Sequence, residues 1–255
     1  MDDQPRTTEP YPDTNTRSIY LGSTRLAHEH LVAQSQVVLR LGRILMKSGA
    51  SAYRIKASMA RLAKAVGLKE HHAQVTFTEI STSSYTDGNF RTEVAEQRTM
   101  GINAHKLDQL GKFISELPEK ITPAEANAEL DRIDSAKPLY TRWMLALASA
   151  VACAGFAFLN RGGLVECTVV FFAAGAGQFL RSTLLKRGVS HLATWMACGF
   201  LAAGLYIALV NVLVAVGWIS PNHMIGFISS VLFLVPGFPM VTGMLDISRM
   251  DFLAG

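Results

Sequence analysis

Val235-Pro236-Gly237-Phe238-Pro239 is where this sequence offers chemistry from its backbone rather than from a side chain. The five residues interrupt Met224–Leu245, an apolar run of membrane-crossing character. Met224–Val235 holds 12 residues, and as a helix it reaches about 18 Å against a hydrocarbon core of about 30 Å. Pro236 and Pro239 each remove a backbone donor, and Gly237 loosens the chain between them. Carbonyls freed in hydrocarbon are costly unless they face protein or a water-filled cavity. Interrupted helices of this kind build solute sites, because free helix ends and bare carbonyls can touch the solute. The plain counterpart is a proline kink with no site, which transmembrane helices tolerate. Thr242 and Gly243 would shape such a site. Asp246, at or near the inner interface, would carry or sense a proton.

Glu166 is the second candidate. It follows Gly162-Gly163 inside an otherwise apolar stretch. Deep in a bilayer it would be functional by default; if the helix starts later, it sits at the outer interface. Gln178 and Asn211 read as packing polars that bond across helices. Cys153, Cys167 and Cys198 read as small buried hydrophobes, with no spacing for a metal or a disulfide framework. His28 and His30 do not share a helix face and, like His71-His72, form a poor ligand set. No metal and no cofactor is expected. No nucleophile elbow, phosphate loop or dinucleotide fingerprint is present in the sequence.

The elements that must position these groups fall into two halves. Residues 1–142 hold 19 of the 24 Lys and Arg and 17 of the 20 Asp and Glu; residues 143–255 hold five and three. An ordinary charged half joined to a nearly uncharged one is a membrane signature. The charged half is close to neutral and carries no basic stripe, so no nucleic-acid partner is expected. The start, MDDQPRTTEPYPDTNTRS, lacks a signal peptide's basic and apolar regions and reads as a disordered leader over 1–27, kept in the cytoplasm.

Periodicity predicts helices over His28–Ser48, ending at Gly49, and from Ser51 as cap to Gly67. One alternating run follows from Val75 to Tyr85, then Asp87-Gly88 as a hairpin turn, then a second run through Phe90, Thr92 and Val94. Further helices are expected over Ala104–Leu117 and Pro123–Ile133, the latter capped by Thr122. Four apolar runs complete the chain: Trp143–Leu159, Leu164–Leu180, Leu192–Val216 and Met224–Leu245. The expected fold is therefore a small soluble α+β domain over 28–136, followed by a multi-pass α-helical membrane domain of about four spans over 137–255. With the N-terminus inside, the inner loops hold Arg132, Lys137, Arg142, Arg181, Lys186, Arg187 and Arg249, and the outer loops only Arg161, as the positive-inside rule requires. Trp143 and Trp218 would anchor opposite interfaces.

Several segments resemble the threonine/serine exporter family, and within it the short YjjP-type subunits. They are Leu41 to Ala50 (LGRILMKSGA), Tyr53-Arg54-Ile55, Gly101-Ile102-Asn103, Asn160-Arg161-Gly162-Gly163, and above all Leu234 to Pro239 followed by Gly243 and Asp246. The resemblance covers roughly residues 33–250. It implies a cytoplasmic N-terminal domain, a membrane domain, and proton-linked export of small amino acids or of dicarboxylates such as succinate across the bacterial cytoplasmic membrane. It also implies a second small membrane subunit of YjjB type, with a homo-oligomer as the other arrangement. The family often carries acids where this chain has Ser51 and Lys56, and an acid one residue before Glu166. Its members usually continue into a fifth span, whereas this sequence stops at Gly255.

The reading that results is an exporter subunit in a lipid bilayer, not an enzyme, handling a small polar solute at Pro236, Gly237, Pro239, Thr242, Gly243, Asp246 and Glu166. The rival reading is a membrane-anchored enzyme or regulatory module whose soluble N-terminal domain is the active part.

Overall fold

The computed structural model describes residues 14–86, 88–97, 101–136, 139–218 and 224–255, with side chains from 28 onward; Met224 is described as backbone only. The chain is mostly helical and forms two compact units, Met1–Ala136 with Phe238–Gly255, and Lys137–Gly237.

In the first unit α1 (Thr14–Lys47) and α2 (Ala52–Ala65) form an antiparallel hairpin. Beside them lies an antiparallel meander of β1 (Glu70–Val75), β2 (Glu79–Thr86) and β3 (Asn89–Glu96), in the order β1-β2-β3. α3 (Ala104–Ser115) and α4 (Pro123–Asp134) complete it. Leu31, Val37, Leu41 and Leu45 of α1 meet Ile55, Met59 and Leu62 of α2, Ile80 of β2, Leu110 of α3 and Leu130 of α4 in one apolar core. Thr122 and Glu125 form a reciprocal capping box at the start of α4, which carries Pro123 in its first turn.

Two local expectations need correction. α1 begins at Thr14, well before the predicted His28, because the start read from sequence is where a regular apolar period begins, and the residues before it read as a polar leader. The run read as one strand from Val75 to Tyr85 is two strands joined by a turn. There the Thr76 amide donates to the Glu79 carbonyl at 2.9 Å, and the Glu79 amide to Thr76 Oγ1 at 3.0 Å. Asp87 of the predicted Asp87-Gly88 turn lies outside the described residues; Gly88 has φ +80°.

In the second unit α5 (Arg142–Leu159), α6 (Leu164–Lys186) and α7 (His191–Ala215) have 18, 23 and 25 residues, each long and apolar enough to cross a membrane. α5 packs on α6, where Gly175 admits the Ala150 methyl, and α6 packs on α7, where Gly177 admits Ala202. Arg181, expected in a loop, is inside α6, five residues before its end. Trp143 stacks at a tilt on Phe179, with ring centroids 4.4 Å apart.

The fourth apolar run is broken further than proline alone dictates. α8 (Met224–Ser230) ends early, a 3-10 turn covers Leu232–Leu234, Val235 is extended, and α9 (Gly237–Ser248) restarts beyond Pro236. Neither α8 nor α9 is long enough to cross a membrane by itself.

One titration tests the packing of the sheet. His71, paired in register with Ser84, has its Nδ1 3.0 Å from Ser84 Oγ, and its Nε2 is buried without a partner among the described residues. Burial, and secondarily the charge of His72, lowers the imidazole from 6.5 to about 4. A native group harder to protonate than its unfolded form contributes stability that is whole above 6.5 and is lost as pH falls from 6.5 through about 4. The thermal midpoint of the detergent-solubilised chain should drop between pH 7 and pH 5, and His71→Gln should flatten that drop. An unaltered slope in the variant would contradict the placement of His71.

Candidate functional site

Two carboxylates anchor the candidate site residues, one in each unit. The first sits at the α1–α2 turn. α1 closes with a Schellman pattern, in which the Gly49 amide donates to the Met46 carbonyl at 3.1 Å and the Ala50 amide to that of Leu45 at 3.0 Å. Gly49 stands at φ +88°, and a Cβ there would meet the Gly101 carbonyl at 3.0 Å and the Phe238 ring at 3.5 Å. The Gly101 amide donates to the Lys47 carbonyl at 3.0 Å and the Asn103 amide to that of Ser48 at 3.1 Å. Three segments distant in sequence, Ser48–Ala50, Gly101–Asn103 and Phe238, are thus brought together.

Asp246 completes this cluster. Ser51 is the residue before α2, but its hydroxyl makes no capping bond. The free Ala52 amide donates instead to Asp246 Oδ2 at 3.1 Å, across 194 residues of sequence. A carboxylate is favoured at a helix N-terminus by the exposed amides and the helix dipole. Asp246 is only 4 % exposed, and its Oδ1 has no partner among the described residues. Around it the Arg249 guanidinium lies 3.8 Å from the centre of the Tyr53 ring, Lys56 pairs with Asp251, and the Phe77 amide donates to the Leu253 carbonyl at 3.1 Å. Lys56, where the resembling family often has an acid, therefore pairs here with an acid from the far end of the chain.

The other sequence-predicted residues near Asp246 are placed differently. Thr242 turns its hydroxyl onto its own helix, 3.1 Å from the carbonyls of both Phe238 and Pro239. Pro239 is exposed on α9, and Gly243 lies beside the terminal Gly255. At the break the Val235 amide donates to the Leu232 carbonyl at 3.0 Å and the Gly237 amide to that of Val235 at 2.9 Å, a tight turn in place of helical bonding.

Glu166 belongs to the second unit. It is the third residue of α6 and 8 % exposed. Its Oε1 accepts from the Tyr206 hydroxyl at 3.1 Å and from the Gly226 amide at 2.8 Å, so one carboxylate oxygen joins α6, α7 and α8. Only glycine fits at 226: a Cβ there would stand 2.1 Å from Tyr206 Oη and 2.7 Å from Glu166 Cγ. Neither Tyr206 nor Gly226 was expected from sequence. The one available signal was a tyrosine within the uncharged run Leu192–Val216. Among the described residues there is no group of three or more His, Cys, Asp or Glu side chains able to hold a metal.

Comparison with known proteins defines the class. Residues 36–255 match the ThrE family, described as "Putative threonine/serine exporter", and the chain belongs to that family. Its relatives include two proteins named "Probable succinate transporter subunit YjjP". The one from Klebsiella aerogenes is 25 % identical over 85 % of this chain and 82 % of its own length. The one from Escherichia coli K12 is 24 % identical over 85 % and 83 %. "Pheromone-regulated membrane protein 10" of Candida glabrata is 23 % identical over 88 % of this chain and 28 % of its own. No solved structure matches the chain. Family and apolar helices together make this a membrane protein of the transporter class.

The Glu166 junction gives a stability test. Tyr206→Phe removes one of the two donors to a buried carboxylate and should lower stability by about 1–3 kcal/mol. Gly226→Ala should cost more, because the Cβ meets a fully buried ring. Thermal unfolding in detergent measures both, and a Gly226→Ala midpoint equal to that of the parent would contradict the junction.

Proposed function

We propose that this chain is a subunit of a secondary exporter that moves a small amino acid or dicarboxylate out of a bacterial cell through the cytoplasmic membrane. The observation that carries the reading is the break at Val235–Pro236 in an apolar run whose pieces are individually too short to span. Family membership supports the class, and the printed names of the relatives support a subunit that works with a partner.

In this reading residues 28–136 form a soluble cytoplasmic domain, the N-terminus is inside, and a second small membrane subunit completes the path. Pro236, Gly237 and Pro239 keep backbone groups available to the solute, and Gly243 permits close approach. Asp246 and Glu166 are the proton-responsive groups. Protonating Asp246 removes the anion from the start of α2. Protonating Glu166 weakens its hold on the first turn of α8, which leads directly into the break. Thr242, whose hydroxyl bonds its own helix, steadies α9 and reaches the solute only when that bond is exchanged.

Cells loaded with succinate or with L-threonine test this. Pro239→Ala and Asp246→Asn should slow efflux severalfold and raise the retained solute at normal membrane abundance. Unchanged efflux of both solutes at normal abundance would refute the assignment of these residues.

A further inference from the structure

The second unit holds polar atoms that its own packing leaves unused, and they fall in one place. α7 buries the stripe Thr194, Cys198, Ala202, Tyr206 and Val210. α6 runs antiparallel to it, with Gly177 against Ala202. One turn beyond Gly177, Arg181 comes level with Cys198, one turn before Ala202 on the antiparallel α7. Thr194 lies one turn further along α7. Thr194 is 0 % exposed, and its hydroxyl has no partner among the described residues; Arg181 Nε and Gln178 Oε1 are likewise buried and unpartnered. Arg181 forms no ion pair among the described residues.

The broken segment arrives at the same level. Gly226 meets Glu166 near the start of α6, Phe233 meets Gly177, and Leu234 meets Gly199 of α7. The chain therefore advances parallel to α6, and Val235 and Pro236 come next, beside the turn that carries Gln178 and Arg181. A buried hydroxyl, amide oxygen and guanidinium nitrogen left unmade are each costly in an apolar setting. All three costs are removed by a ligand that brings an anion for Arg181 and Thr194 and a donor for Gln178.

We propose that Arg181, Thr194 and Gln178 form a carboxylate-binding site beside the Pro236 break. Arg181 and the Thr194 hydroxyl donate to the carboxylate, and Gln178 Oε1 accepts from an ammonium, hydroxyl or protonated carboxyl group of the same molecule. Arg181 is suited to the role because its planar fork donates two parallel bonds to a carboxylate. The proposal rests on the exporter reading for its physiological solute, but the binding site stands or falls by itself.

The test uses the full chain purified in detergent and titrated calorimetrically with succinate and with L-threonine, each beside its carboxylate-free counterpart, succinamide and L-threoninol. At least one acid should bind, and its counterpart at least about tenfold more weakly. Arg181→Gln should weaken binding of that acid at least about tenfold. Arg181→Lys should keep part of the affinity, and Thr194→Val should lose a smaller share with an unchanged thermal midpoint. Succinate and L-threonine together identify which class of carboxylate the site takes. Binding of neither acid, no preference over the carboxylate-free counterpart, or full affinity in Arg181→Gln overturns the site. Loaded-cell efflux separates the two ideas. Normal efflux in Arg181→Gln refutes the site and leaves the exporter reading; carboxylate binding without any efflux refutes the exporter reading and leaves the site.

Discussion

A span in hydrocarbon has to pair its own backbone N–H and C=O groups, since no water is there to do so. α5, α6 and α7 meet that demand with unbroken helices. The fourth apolar run does not. Pro236 and Pro239 supply no donor, α8 ends at Ser230, and the chain passes through a 3-10 turn and an extended Val235 before helix resumes at Gly237. Such a segment is stable only where protein, water or a ligand completes it, which is why we propose it as the place for a solute.

Two buried carboxylates bracket that segment in sequence and hold helix starts in the same manner. Glu166 receives the Gly226 amide in the first turn of α8, and Asp246 receives the Ala52 amide at the first residue of α2. In each case an anion sits on exposed amides, where the helix dipole favours it. Each carboxylate also has an oxygen to which these bonds do not extend, and for Asp246 that oxygen is buried and unpartnered. A proton added to either group therefore acts on a helix terminus rather than on a side chain alone.

Much of this was legible in sequence, for physical reasons that differ by residue. The break was visible because proline and glycine act through the backbone wherever they stand. The start of α4 was visible because Thr122, Pro123 and Glu125 are adjacent and form their own capping box. The early start of α1 was not, because the sequence before His28 carries no regular apolar period to mark a helix. The division of β1 from β2 was hidden because the turn at Thr76 uses a threonine hydroxyl and neither glycine nor proline. The partners of the two carboxylates were out of reach for another reason. Ala52 and Asp246 are 194 residues apart, and Tyr206 lies 40 from Glu166, so only the folded chain shows Ser51 leaving its capping role to Asp246 and Gly226 surrendering its side chain to Tyr206.

The central claim is that the Val235–Pro236 backbone meets water and solute while the helices around it face lipid. Val235→Cys in a chain whose Cys153, Cys167 and Cys198 are replaced by serine measures this directly in intact membranes, with Phe200→Cys, at an 84 % exposed position of α7, as the lipid-facing control. A water-soluble, membrane-impermeant thiol reagent should modify position 235 and not 200, and succinate or L-threonine should slow the modification. A cysteine at 235 as inert as one at 200 would contradict the account.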